Sequence, residues 1–129
     1  MSFQKTYLNT IVLMLNFYIE RLRHKQFKRI ILEKILIIGG GGHAKSLIDN
    51  IYSSNIYVPV GIIDNNITKG QKILGIPIIG NDDDLKKIFS EGVFNAAVGI
   101  GSSGDNRARN NAYNIASNIG FNFPSIIHS

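Results

Sequence analysis

Cysteine is missing from all 129 residues, which excludes disulfides, thiolate metal sites and cysteine nucleophiles. Nothing in the chain depends on an oxidising compartment, so a cytoplasmic setting is the expectation. A long apolar run is missing too. The most apolar stretch, residues 7–19, falls short of the roughly 20 residues a membrane-spanning helix needs. It also makes a poor secretory signal, because the positive charge follows the apolar part and no small-residue cleavage site appears.

Net charge is absent from most of the chain. The formal charge is +5, and residues 1–34 carry all of it: Lys5, Arg21, Arg23, Lys25, Lys28, Arg29 and Lys34 oppose only Glu20 and Glu33. Over residues 35–129, seven Lys and Arg balance seven Asp and Glu. That neutrality argues against a nucleic-acid footprint on the globular part, and no nucleic-acid partner is expected. The length suits one domain with a modest core, and no internal repeat stands out.

Two regions of different character are present. Residues 6–33 contain no Gly or Pro, and Tyr7, Leu8, Ile11, Val12, Leu15, Tyr18, Ile19 and Leu22 recur at helical spacing. Three readings fit this basic amphipathic helix. It lies on an anionic membrane surface, it packs on the domain or a partner, or it is an extension outside the fold. The last is preferred, because the domain's own pattern begins cleanly at Lys34.

From Lys34 onward, strand and helix patterns alternate. "KILII" (34–38) is a continuous apolar run, as a parallel strand covered on both faces requires. Ala44, Leu47, Ile48 and Ile51 then mark an amphipathic helix over 43–53. "YVPVGIID" (57–64) is a second strand, whose Pro59 places its early part near an edge or before pairing begins. Residues 65–80 read as a loop containing a small hairpin or extended excursion. Asn81 caps a helix running through Glu91 and stopped by Gly92. A strand over 95–101, a helix over 106–119 and a last strand over 121–128 complete the pattern. Such alternation with short loops implies an α/β fold: a Rossmann-like parallel sheet with flanking helices, preceded by the amphipathic N-terminal helix.

The candidate site starts at Gly39-Gly40-Gly41-Gly42-His43-Ala44, which satisfies G-x-G-x-x-G/A directly between a strand and a helix. Glycines let main-chain N–H groups approach an anion where the helix dipole favours phosphate. Asp64, 20 residues beyond Ala44 at the end of "VGIID", supplies the acid that completes a nucleotide fingerprint. "VGIGSSGDNRARN" (98–110) should face the glycine loop, with Asn106 or Arg107 addressing phosphate or sugar hydroxyls. Asp105 or Asn106 also suits a plain helix cap. Asp82, Asp83 and Asp84 look like a metal cluster but are what the first turn of a helix favours, so no metal is expected. His43 either donates to a phosphate or merely starts a helix. His24 sits among solvated charges, and His128 has no visible partner.

In sequence order, "KILIIGGGGHAKSLIDNI", "VGIIDNN", "KGQKILGIPIIGNDDDL", "AVGIGSSGDNRAR" and "GFNFPSIIHS" closely resemble the N-terminal domain of the PglD/NeuD family of bacterial sugar acetyltransferases. The resemblance implies a domain over 34–129 that holds a UDP-amino sugar or a sialic-acid-type sugar for glycan biosynthesis. Gly39, Gly40, Gly41, Gly42 and His43 would form the sugar-nucleotide loop. Asp64 and Asn65 would replace the family's acidic pair, with Asn departing from the second acid, and Gly101, Asn106 and Arg107 match the later loop. The family's acetyl-CoA site, base and trimer belong to a C-terminal hexapeptide-repeat domain. No tandem hexapeptides occur in this sequence, so the expectation is a monomer without cofactor or acetyl-transfer activity of its own. A fragment of an NAD(P)-binding Rossmann oxidoreductase is the alternative, supported by the same loop and Asp64 but by no recognisable Tyr-Lys or His-Asp catalytic set.

Overall fold

The computed structural model describes residues 9–21, 32–101 and 105–126, which fall into two units, Met1–Leu32 and Glu33–Ser129. In the first unit, residues 9–21 form helix α1, as the unbroken apolar periodicity requires. Its large apolar side chains, Val12, Leu13, Met14, Leu15, Phe17, Tyr18 and Ile19, are exposed. The remainder of the 6–33 helix reading lies outside the described residues.

The second unit is built on β1 (Glu33–Ile38), α2 (Ala44–Ser54), β2 (Tyr57–Ile63), β3 (Lys72–Ile73) and β4 (Ile76–Gly80). A 3₁₀ turn (Asp82–Asp84), α3 (Leu85–Ser90), β5 (Asn95–Val98) and α4 (Arg107–Ile119) follow. The five strands lie in the order β3-β4-β2-β1-β5. All neighbours are parallel except β3 and β4, which form an antiparallel hairpin. The fold is thus the Rossmann-like α/β arrangement the sequence implies, with one antiparallel strand at the edge.

Strand β1 explains the layering. Ile35 and Ile37 point to one face, where they pack with Ile48 and Ile51 of α2 and with Ile62, Ile76 and Ile78. Leu36 and Ile38 point to the other, against Leu85 and Ile88 of α3 and Ala112 and Ala116 of α4. A strand buried on both faces must be apolar at every position, and "ILII" is. Each fully buried Ile or Leu here contributes roughly 1.5–3 kcal/mol of transfer free energy.

Several sequence expectations change in detail. The excursion over 65–80 is a hairpin, and its second strand joins the main sheet, pairing Ile62 with Ile78 and Ile63 with Gly80. Leu74 and Gly75, with φ of +48° and +82°, supply the doubly left-handed turn that a two-residue hairpin needs. Pro59 pairs with Ile35 on the β1 side, at a register shift, while β4 meets β2 only at Ile62 and Ile63. Its missing N–H therefore faces an unpaired side. The helix over 81–91 divides into the 3₁₀ turn and α3. The last strand, expected over 121–128, reduces among the described residues to one parallel bridge between Asn95 and Asn122. Pro124, which has no N–H to give, follows two residues later.

Candidate functional site

Chain order runs β1, β2, β4 toward one side of the sheet and then returns to β5 on the other side of β1. The strand order thus reverses at β1, and open α/β sheets form their crevice outside the carboxyl ends of the strands at such a switch point. A cleft of about 360 Å³ lies there. Ile38, Gly39 and Gly41 line it from the end of β1, Ile63 to Asn66 from the end of β2, and Asp82 from the 3₁₀ turn. Ile100 and Gly101 follow β5, and Ala108, Asn111 and Ala112 come from α4.

The four glycines divide into two pairs with different tasks. Gly39 and Gly40 are buried, whereas Gly41 and Gly42 are exposed. Gly39 has φ +98°, and a Cβ there would come 2.6 Å from Ile100 Cγ1. A Cβ on Gly40 would meet Ile73 and Ile67 at 2.8 and 2.9 Å. These two positions need glycine for packing. Around Gly41 and Gly42 a Cβ would touch nothing within 4 Å. Their openness leaves room for a ligand.

The N–H groups sort the same way. Gly39 donates to Ile63 O at 2.8 Å and Gly40 donates to Asp64 Oδ2 at 2.8 Å. The N–H groups of Gly41, Gly42 and His43 have no acceptor among the described residues. They precede α2, whose N-cap His43 makes no side-chain cap and whose first turn holds no acid. An uncapped helix start with free donors and no competing carboxylate is suited to an anion.

Beside the loop stands an acceptor-rich group. The Asp64 carboxylate takes three backbone N–H groups: Gly40 on Oδ2, and Asn66 and Ile67 on Oδ1 at 2.8 and 3.0 Å. Partial burial pushes its pKa up, but the three hydrogen bonds outweigh that and hold the carboxyl below its ordinary value. Asn65 bonds reciprocally with Asp82, donating from Nδ2 to Oδ2 at 2.9 Å and accepting the Asp82 N–H at 3.1 Å. Asn81 and Asp84 complete a capping box beside it: Asp83 N–H donates to Asn81 Oδ1, and Asn81 N–H donates to Asp84 Oδ2. Position 65, where an acid stood in the resemblance, thus works here as an amide that can both give and take.

The third loop approaches the first closely. A Cβ on Gly99 would lie 2.7 Å from Gly39 O, and Gly101 lies directly against the His43 imidazole. Asn106 and Arg107 sit elsewhere. Asn106 is the N-cap of α4 without a side-chain cap bond, and neither residue lines the cleft. Arg107 is clamped by Asp105, with Nε 3.1 Å from both carboxylate oxygens and Nη2 2.9 Å from Oδ2. The guanidinium side chain, backed by the Arg107 N–H, holds the Asp105 carboxyl below its usual range and is itself pushed up by that carboxylate. Asp105 also accepts the Arg107 N–H at 3.0 Å, so it is Asp105 that caps α4. What α4 brings to the cleft is Asn111, a residue the sequence reading passed over. Its only signal was spacing: Asn111 follows Ala108 by three positions, so the two share a helix face.

Known proteins add to this geometry. Residues 34–116 match the family described as PglD N-terminal domain. A mutant of perosamine N-acetyltransferase from Caulobacter crescentus, solved with CoA and GDP-perosamine, is 33% identical, with a TM-score of 0.66. The match covers 75% of this chain and 43% of that one. The acetyltransferase domain of PglB from Neisseria gonorrhoeae, in complex with acetyl coenzyme A, is 30% identical with a TM-score of 0.63, covering 74% and 44%. The present chain therefore spans less than half the length of these structures. A Rex-family repressor, 16% identical over 82% of this chain and 54% of its own with a TM-score of 0.53, shares the fold alone. No curated protein sequence matches the chain.

Proposed function

Since the chain belongs to the PglD N-terminal domain family, we propose that its cleft binds a nucleotide-linked amino sugar as the acceptor substrate of a sugar acetyltransferase. The observation that carries this reading is a set of free donors at the start of α2, of which Gly41 lines a cleft that also holds Asn65 and Asp82. Free N–H groups of Gly41, Gly42 and His43, at the start of α2, suit a diphosphate. Asn65 and Asp82, from the end of β2 and the 3₁₀ turn, suit the hydroxyls and N–H groups of a nucleoside. Lys45 lies in the first turn of α2. A cation in the first turn opposes the helix dipole, and a bound phosphate reverses that penalty.

The Caulobacter enzyme, solved with GDP-perosamine, supports a sugar nucleotide over a free sugar. Residues 34–129 then serve as the substrate-holding part of the acetyltransferase, and acetyl-CoA is held by other residues. Asn106 and Arg107 lie outside the lining of the cleft, and Asp105 holds the Arg107 guanidinium. A dinucleotide is the weaker reading: the acid that would receive its ribose hydroxyls, Asp64, already accepts three backbone N–H groups.

Calorimetric titration of the chain with GDP- and UDP-linked amino sugars, NADH and acetyl-CoA separates the readings. Binding of a sugar nucleotide without NADH or acetyl-CoA is the expected result. NADH binding that disappears in Asp64→Ala, with silence toward every sugar nucleotide, would overturn it.

A further inference from the structure

We propose that α1 is a membrane-surface helix, lying in the plane of an anionic lipid leaflet with one defined face down. Three independent observations meet on it. The first is angular. At about 100° per residue, Asn9, Asn16 and Glu20 fall within about 20° of a common line. Met14, Tyr18, Ile11, Leu15, Ile19 and Val12 fill an arc of about 160° on the far side, and Phe17 and Leu13 widen the apolar surface along one flank toward the polar line. The second is exposure: Leu15 is 54% exposed, Met14 68% and Tyr18 62%, an unusual state for an apolar face of this width. The third is length and charge. Among the described residues no helix is long and apolar enough to cross a membrane. The sequence directly after α1 adds Arg23, Lys25, Lys28 and Arg29 without an acid.

An apolar face that cannot span a bilayer, continued by a basic run, matches the interfacial mode of binding. The charge also chooses between occupants. A second copy paired in parallel would bring its own basic run against this one, whereas anionic headgroups attract it. Arg21 Cζ lies 5.9 Å from the Phe17 ring centroid, a cation–π contact at the basic end of the helix.

Co-sedimentation of the full chain with phosphatidylglycerol and phosphatidylcholine vesicles tests this. The expected result is pelleting with phosphatidylglycerol that weakens with added salt, and little pelleting with phosphatidylcholine. Leu15→Glu and Asn16→Glu change the charge equally, one within the apolar arc and the other on the polar line about 100° away, and far-UV circular dichroism verifies that both retain the wild-type fold. Leu15→Glu should lower the vesicle partition coefficient at least about tenfold, as loss of one buried leucine implies, and Asn16→Glu much less. Equal losses from the two variants, or wild-type chain that stays in the supernatant, would overturn the proposal. So would a concentration-dependent dimer in sedimentation velocity that Leu15→Glu dissolves without any vesicle binding.

Discussion

Asp64 Oδ2 accepts the Gly40 N–H at 2.8 Å, joining the ends of two neighbouring strands across 24 residues of sequence. With Asn66 and Ile67 on its other oxygen, this carboxylate fixes the floor of the cleft. Removing it in Asp64→Ala leaves three amides without their acceptor and should cost about 1–3 kcal/mol, toward the lower end because the group is partly solvated. Urea unfolding measures it. The folded pKa is depressed, so the contribution is fully present above the unfolded carboxylate value and is lost as pH falls through the folded one. The variant's stability should therefore approach wild type in acid.

Gly39→Ala and Gly41→Ala should separate folding from binding. The first forces a side chain to φ +98° and into Ile100, and should lower stability by about 1–3 kcal/mol. The second meets open space and should leave the melting temperature nearly unchanged. Its methyl group projects where the diphosphate is proposed to lie, so sugar-nucleotide affinity should fall about tenfold or more. Thermal melts and calorimetry on both variants give the comparison. Equal effects of the two on stability would refute the division of the loop.

Asn65→Asp should destabilise by about 0.5–1 kcal/mol at neutral pH, by setting a second carboxylate against Asp82. The deficit should shrink as pH drops through the carboxylate range, because the repulsion raises the folded pKa and protonation relieves it. The swap Asn65→Asp/Asp82→Asn should recover most of the loss, since an amide at 82 can donate to an acid at 65. A swap no more stable than Asn65→Asp alone would show that the reciprocal bond contributes nothing.

Arg107→Ala should leave both stability and sugar-nucleotide affinity within error of wild type, since its side chain is 91% exposed and bound to Asp105. Asn111→Leu, on the next turn of the same helix and lining the cleft, should weaken binding at least threefold. The opposite ranking would put the ligand on the outer face of α4.

How much of this was legible in the sequence depends on how local each cause is. The apolar run of β1, the glycine loop and the Asn81 cap act through neighbours in the chain, and residue type alone revealed them. Strand β4 was harder, because Gly75 breaks its apolar run and its place beside β2 depends on Ile62–Ile78 pairing that no local pattern encodes. "FNFPSIIH" has the composition of a strand, yet only Asn122 bridges to the sheet among the described residues. Asp64 was found as the acid at a strand end. Its partner, Gly40, is visible only in three dimensions. Arg107 reads from the sequence as a group addressing phosphate or sugar hydroxyls, and the acid two residues before it holds its side chain.

The small hairpin also shapes how the molecule meets its neighbours. Strand β3 pairs with β4 at only two positions, Lys72 with Pro77 and Ile73 with Ile76. Just beyond, Ile78 donates to Gln71 O at 2.7 Å and accepts the Gly70 N–H at 2.9 Å. A loop thus seals the backbone that the short strand leaves open, and Pro77 and Lys72 stand at the boundary. Edge-to-edge addition of another chain, the first step toward cross-β stacking, finds no ladder to extend along this stretch. At this edge the sheet offers a newcomer only the two residues of β3.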